Sequence, residues 1–430
     1  MTSSAVLNRD ILNQHVIDPE ICIRCNTCEA TCPVGAVTHD SNNYVVDASK
    51  CNFCMACVPP CPTGSIDNWR SVPLLRVYSL EEQLGWEELP AALSADELEA
   101  AQVDSASDAA SLVTEAVTPT ALQNPAPIVV APTYGSIIAP FSAAAPKVNL
   151  FGPAASEKFA TATVTGNVRV TQAGKQYDTH HIVLDFGTTQ FPVLEGQSIG
   201  VIAPGLDSKG KPHHARQYSL ANARNGERPG YNNVSLTIKR VLEDHQGKPV
   251  HGVASNFMCD LNIGDQVQVI GPFGSSFLMP NHPRSNIVMI CTGTGSAPMR
   301  AMTEWRRRER KANQFDGGKL LLFFGARTQE ELPYFGPLQS LPKDFIDIEL
   351  AFSRTAGKAK RYVQDAMRDR SADLAKLLAD TDTYIYVCGL KAMEEGVVLT
   401  LRSIAEQAGM DWSSLSAALK NEGRLHLETY

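Results

Sequence analysis

The chain has 430 residues, 43% hydrophobic and 20% charged, enough for about three domains, each with its own core. Its formal charge of -8 is unevenly placed, with 6 Lys and Arg against 17 Asp and Glu in residues 1–150, an acidic balance that argues against a nucleic-acid partner. The first ten residues lack the basic start and apolar run of a signal peptide. The uncharged run 128–146 is broken by Pro132, Pro140 and Pro146, so no membrane span is expected.

The first chemistry in chain order is a cysteine repeat. Cys22, Cys25, Cys28 and Cys32-Pro33 recur 29 residues on as Cys51, Cys54, Cys57 and Cys61-Pro62, and the repeat continues through Gly35 and Gly64. In a C-x2-C-x2-C-x3-C-P run three thiolates wrap one iron–sulfur cubane and the fourth reaches a second. Cys22, Cys25, Cys28 and Cys61 are therefore expected to hold one [4Fe-4S] cluster, and Cys51, Cys54, Cys57 and Cys32 the other. Three-iron clusters or zinc are the alternatives, but zinc needs only four ligands in two separated pairs, and disulfides show no preference for such crowding. The segment resembles bacterial two-cluster ferredoxins. Clusters need reduced thiols, so a cytoplasmic location is expected.

Residues 1–75 are read as this unit and 76–153 as an Ala-, Pro- and Ser-rich linker, with a weak acidic helix around Asp96–Glu99. Over 154–283 the texture changes to short β-rich runs at 162–170, 181–186, 198–203, 216–221, 234–240 and 266–271. Gly and Asn turn signals part them, which predicts an antiparallel β-barrel. Over 284–430 the pattern alternates, with strands at 286–291, 319–325, 347–352 and 383–388 and helices over 298–312, from 362, and over 391–407. That order predicts a doubly wound parallel α/β sheet, so the fold class is multidomain, α+β and α/β. The helix over 298–312 reads as basic and amphipathic.

Several motifs in these two regions suit nucleotide cofactors. On one barrel strand Arg216 is placed to neutralise a diphosphate, Tyr218 to lie on an isoalloxazine and Ser219 to hydrogen-bond its N5. Gly252, Val253 and Ser255 open a helix whose first N–H groups and hydroxyl suit the same diphosphate. Thr294 and Gly295, between the first strand and helix of the α/β region, let a nicotinamide dinucleotide approach the backbone at the carboxyl edge of the strands. Ser353, Arg354, Lys360, Tyr362 and Gln364 supply hydroxyls, cations and an aromatic ring suited to a 2'-phosphate and a stacked adenine, favouring NADPH over NADH. The pairs His180-His181 and His213-His214 lack metal-ligand spacing, and Cys259 and Cys291 sit in apolar strings as core thiols.

Residues 160–430 resemble plant-type ferredoxin–NADP reductases, from Arg216-x-Tyr218-Ser219 through Gly252–Phe257, Thr294–Pro298 and Val387–Lys391 to Tyr430. The resemblance implies FAD, Lys239 near the dinucleotide phosphates, Tyr430 over the flavin face, Ser219 and Cys388 lining the hydride path, and Glu428 tuning or relaying protons. One departure is that Val241–Asp244 offers no tyrosine to stack the FAD adenine. Electrons are expected to pass from NADPH through FAD and the two [4Fe-4S] clusters to an oxygenase component. The module order resembles the reductase components of benzoyl-CoA 2,3-epoxidases, which implies a di-iron partner besides NADP(H), without nucleic acid or membrane; a homodimer is left open. The alternatives are a reductase running toward NADPH and a non-catalytic electron wire in a larger complex.

Overall fold

The computed structural model describes residues 11–98, 146–174, 176–243, 247–282, 284–314, 317–333 and 341–430. The first ten residues and most of the expected linker, with the run 128–146 up to residue 145, lie outside them. The chain divides into two compact units, Met1–Thr133 and Tyr134–Tyr430.

In the first unit β1 (Ile11–Val16), α1 (Thr27–Thr31), β2 (Val37–His39), β3 (Tyr44–Val46), β4 (Asn68–Pro73) and α2 (Leu80–Leu84) follow in order. The β1 and β4 strands pair antiparallel, as do β2 and β3. Ile17, Val37, Tyr44, Val46 and Ile66 form a small core into which Cys22, Cys28, Cys57 and Cys61 are packed. The sequence repeat is also a backbone repeat. Arg24 and Asn26 take positive φ, and so do Phe53 and Met55 at the same offset, followed by Gly35 and Gly64. A non-glycine residue in that region costs on the order of 1–3 kcal/mol, so the two halves of the repeat carry the same strained turns.

The acidic composition after residue 75 predicted linker, yet residues 77–90 are tied to this unit. Gln83 is buried and bonds both the N–H and the C=O of Val46, at 3.2 and 3.0 Å, and Arg70 Nε donates to Pro90 O at 2.6 Å. A capping box of Ser79 and Glu82 starts α2.

The second unit begins with β5 (Ala160–Arg169), β6 (Thr179–Asp185), β7 (Ser198–Ile202), β8 (Arg216–Ser219), β9 (Asn233–Lys239), α3 (Val253–Asp260) and β10 (Gln266–Phe273). The six strands pair antiparallel in the order β8-β7-β10-β5-β6-β9. A bridge between Leu220 and Leu236 and the bond from Ala221 N–H to Ser235 O bring the two edges together and close the barrel. Helix α3 adds Met258 and Cys259 to its core.

The α/β half runs through β11 (Asn286–Thr292), α4 (Ser296–Lys311), β12 (Leu320–Ala326), β13 (Ile346–Phe352), α5 (Val363–Asp369), α6 (Ser371–Ala379), β14 (Thr383–Gly389), α7 (Lys391–Gln407), α8 (Trp412–Asn421) and β15 (Leu425–Thr429). Its five strands are all parallel, in the order β13-β12-β11-β14-β15. Alternation along β11 sends Val288 and Ile290 to one core and Ile287, Met289 and Cys291 to the other, as a sheet covered on both faces requires. Among the described residues no helix is long and apolar enough to cross a membrane.

Helix α4 turns part of its basic face inward. Its arginines are not a solvated face: Arg306 is 1% exposed and Arg307 is buried. Arg300 forms a two-pronged pair with the buried Glu227, at 2.7 Å on each arm, and also donates to Ala221 O at 2.7 Å. Arg308 donates to the carbonyls of Gly226 and Glu227 at 2.8 and 2.9 Å. The guanidinium groups thus fasten the barrel loop that follows β8 to the α/β half.

Candidate functional site

The eight thiols of the first unit separate into two groups by their mutual electrostatics. Burial raises Cys22 to about 12, and the nearby charges acting on it are those of Cys61 and Cys25; Cys28 is raised by burial and then by Cys22, Cys61 and Cys25. Burial likewise raises Cys57 to about 12, with Cys51, Cys32 and Cys54 as its charged neighbours. Cys22, Cys25, Cys28 and Cys61 therefore lie within electrostatic reach of one another, as do Cys32, Cys51, Cys54 and Cys57. All eleven cysteines are free thiols. A cavity lined by Cys32, Cys51, Cys54 and Cys57, with His15, Val37 and Met55, lies inside the second group.

Each tetrad offers four sulfur donors, which is the donor chemistry of a [4Fe-4S] cluster. Among the described residues no three His, Cys, Asp or Glu side chains gather tightly enough to hold one metal ion. Cys32 differs from the rest. Burial would raise it, but the N–H groups of Ala36, Val34, Val37 and Gly35 outweigh burial and lower it, with the Ala36 bond at 3.2 Å.

In the second unit the carboxyl ends of β11, β14 and β15 meet barrel strand β8. The Ser219 hydroxyl faces Glu428 and lowers its carboxyl, but burial outweighs this and pushes it up. Glu428 stands in register with Cys388 on the neighbouring strand, and burial, then Glu428, raises the Cys388 thiol. Tyr430 pairs its hydroxyl with Thr294 at 2.9 Å and donates its N–H to Gly389 O at 3.0 Å. Tyr430 is 65% exposed, and its bond to Thr294 lies at the surface. Gly295 packs against the Cys388 carbonyl so closely that a Cβ would lie 2.3 Å from that oxygen. Ser219, Glu428, Cys388, Tyr430, Thr294 and Gly295, distant in sequence, thus form one cluster.

Arg216 is exposed on β8, and Tyr218 is half-buried against the barrel core, its phenol raised by burial to about 12. Among the described residues no side chain caps the start of α3, which leaves the N–H groups of Val253 and its neighbours for an anion. The Ser255 hydroxyl points elsewhere than the sequence suggested: it accepts the Val241 N–H at 3.1 Å and donates to Gly252 O at 3.2 Å. Gly252 is fixed by that contact, since a Cβ there would lie 2.7 Å from the Ser255 oxygen.

Ser353 and Arg354 leave the end of β13, their N–H groups bonded to Ala326 O and Arg327 O at 3.1 and 2.7 Å. The Arg361 N–H returns to Phe352 O at 3.1 Å, which brings Lys360 and Tyr362 beside them. Tyr362 and Gln364 line a shallow groove between α5 and α7 with Arg368, Gly396 and Leu399. The buried Oε1 of Gln364 has no hydrogen-bond partner among the described residues.

Lys239 holds a contact that sequence reasoning missed. Its Nζ lies 3.3 Å from the centroid of the Tyr177 ring, and the Arg327 guanidinium lies 4.6 Å from the same centroid. Neither partner stood in a recognisable motif. Only the register of β6 on β9, which pairs Thr179 with Lys239, brings Tyr177 there.

The oxidoreductase NAD-binding domain family matches residues 289–398, and the 4Fe-4S dicluster domain family matches residues 14–62. The ferredoxin–NADP reductase of the Cyanophora paradoxa cyanelle is 36% identical over 271 residues, 61% of this chain and 74% of that protein. The chloroplast leaf isozyme 1 from Oryza sativa subsp. indica is 38% identical over 273 residues, 61% of this chain and 75% of its own. Among solved structures, a ferredoxin–NADP+ reductase from Plasmodium falciparum shares the fold with a TM-score of 0.53 at 22% identity, covering 66% of this chain and 99% of that one.

Proposed function

Because the chain belongs to the ferredoxin–NADP reductase family, we propose that it draws electrons from NADPH and passes them through FAD and two [4Fe-4S] clusters to a separate oxygenase. It is an NAD(P)-dependent oxidoreductase with a 4Fe-4S ferredoxin domain. The observation that carries the proposal is the pair of thiol tetrads in the same chain as a reductase unit. Nicotinamide yields two electrons as hydride and a cubane takes one at a time, so a flavin is the converter between them. The order of modules is the reason for proposing a di-iron acceptor of the benzoyl-CoA 2,3-epoxidase kind.

The residues divide the work. Arg216 and the open start of α3 would hold the flavin diphosphate, with Tyr218 against the ring system. Ser219, Glu428 and Cys388 would surround the place where hydride arrives, and Tyr430 would cover it. Ser353 and Arg354, with Lys360, Tyr362 and Gln364, would hold the adenosine 2'-phosphate and adenine.

Two experiments test this reading. Purified protein should contain about eight iron atoms per chain, from two cubanes. Cys25→Ala and Cys54→Ala should each lower that number by about half while NADPH still reduces the flavin, because the thiols and the nucleotide motifs are far apart in the chain. A flavin that stays bound but is no longer reduced in both variants would contradict the division. Replacing Ser353 by Asp together with Arg354→Gln should weaken NADPH use by about 10- to 150-fold, the equivalent of about 1.5–3 kcal/mol for a charged hydrogen bond, and leave NADH little changed. Equal losses for both nucleotides would refute the 2'-phosphate assignment.

A further inference from the structure

The carboxyl ends of the parallel strands arrange the candidate groups in spatial order. Ser353 and Arg354 follow β13, Arg327 follows β12, Gly293–Gly295 follow β11, Cys388 ends β14 and Tyr430 follows β15. Neighbouring strands lie about 4.8 Å apart. On the reading given above, a dinucleotide with its 2'-phosphate at β13 and its nicotinamide at β14 must carry its diphosphate across the ends of β12 and β11. Arg327 stands at that crossing.

Its surroundings are those of a cation waiting for an anion. The contact to Glu331 is loose, at 3.7 Å, and the buried Nε of Arg327 and Oε2 of Glu331 have no hydrogen-bond partners among the described residues. The guanidinium rests instead on the ring of Tyr177, which also carries the ammonium of Lys239 from the barrel. Two like charges gathered on one ring repel each other, and the negative ring face offsets only part of that cost. The backbone that carries the ring is held in place. Tyr177 O accepts bonds from Arg169 at 3.0 Å and Thr171 at 2.8 Å, and the Gln172 N–H of the same loop donates to Glu330 O at 2.9 Å, in the turn just beyond Arg327.

We propose that Arg327, with Lys239 across the Tyr177 ring, binds the diphosphate of the nicotinamide dinucleotide, and that Tyr177 is the positioning residue that holds the two cations in place. The barrel and the parallel sheet then each contribute one cation to the same anion. This inference rests on the proposed nucleotide orientation and adds two residues, Arg327 and Tyr177, to it.

Calorimetric titration of the full-length protein with NADP+, NAD+ and adenosine 2'-monophosphate tests it. The monophosphate carries the 2'-phosphate and lacks the diphosphate. In Arg327→Gln, NADP+ and NAD+ should weaken in equal proportion, by about 10- to 100-fold as for a lost charged contact, while the monophosphate binds as before. Arg327→Lys should recover part of the loss. Tyr177→Phe, which keeps the ring, should bind all three ligands normally, and Tyr177→Leu should weaken the two dinucleotides only. Unchanged NADP+ binding in Arg327→Gln would overturn the inference, and so would a monophosphate affinity that fell as far as that of NADP+. The Arg354→Gln variant separates the two levels: if it leaves monophosphate binding untouched, the 2'-phosphate reading fails, whereas the Arg327 result is still decided by the dinucleotides.

Discussion

Replacing Arg300 with Met should lower the stability of the reductase unit by about 3–5 kcal/mol, the range for removing one partner of a buried ion pair. Glu227 is buried, and Arg300 meets both of its carboxylate oxygens at 2.7 Å. Burial alone would raise the Glu227 carboxyl, but Arg300 and then His181 outweigh it and hold it well below the ordinary range. Without Arg300 the carboxylate must either stay charged and unpaired or take up a proton. The Ser235 hydroxyl at 2.6 Å and His181 at 3.5 Å remain, and neither brings a permanent charge. The double variant Arg300→Met, Glu227→Leu should regain much of the loss, because a buried pair is often no better than apolar groups of similar volume. Urea titration followed by tryptophan fluorescence and by release of bound flavin would measure both variants. A single-variant loss below about 1 kcal/mol, the level of an exposed pair, would show that the contact does not hold the loop.

The same network shows what was legible in the sequence and what was not. The barrel strands are legible to within two residues because most are short β-branched runs, β8 being the exception, and their burial follows from alternation that a linear pattern records. The cysteine repeat is legible because its spacing is local, and the same repeat is seen in the backbone at Arg24, Asn26, Phe53 and Met55. Helix α4 is legible as a basic amphipathic helix, but the partners of its arginines are not. Several arginines between Arg300 and Arg310 look solvated until the loop Ala221–Glu227 is folded over them, and nothing local to α4 announces that loop. Strand β15 was missed for a related reason. Leu425–Thr429 has little strand character of its own and is held by pairing with β14, from Ile385 with Leu425 to Gly389 with Thr429. Glu428 within it and Tyr430 directly after it, given roles by the resemblance, are therefore placed by a strand that local propensity does not reveal.

That placement gives Tyr430 a position from which it can be displaced. Its backbone is held by the bond from its N–H to Gly389 O and by the Lys391 N–H, which reaches Tyr430 O at 3.3 Å. Its side chain is fastened by one hydroxyl bond to Thr294, and the residue is 65% exposed. Swinging the ring away would cost about 0.5–1.5 kcal/mol for that bond and a similar amount for an aromatic stack. Nicotinamide competing for the same place would have to meet that cost, about 1–3 kcal/mol in all. Tyr430→Ser removes it, so NADP+ should bind about 5- to 150-fold more tightly. The flavin should gain a long-wavelength absorption band on addition of NADP+, discrimination against NADH should weaken, and turnover should slow because the oxidised nucleotide leaves slowly. Tyr430→Phe, which keeps the ring and loses only the bond to Thr294, should shift NADP+ affinity by the smaller of the two contributions. Titrating both variants with NADP+ while recording the flavin spectrum separates this from a tail that merely rests on the surface. In that case the Tyr430→Ser spectrum would match that of the unaltered protein, and the ring could not be the group that nicotinamide displaces.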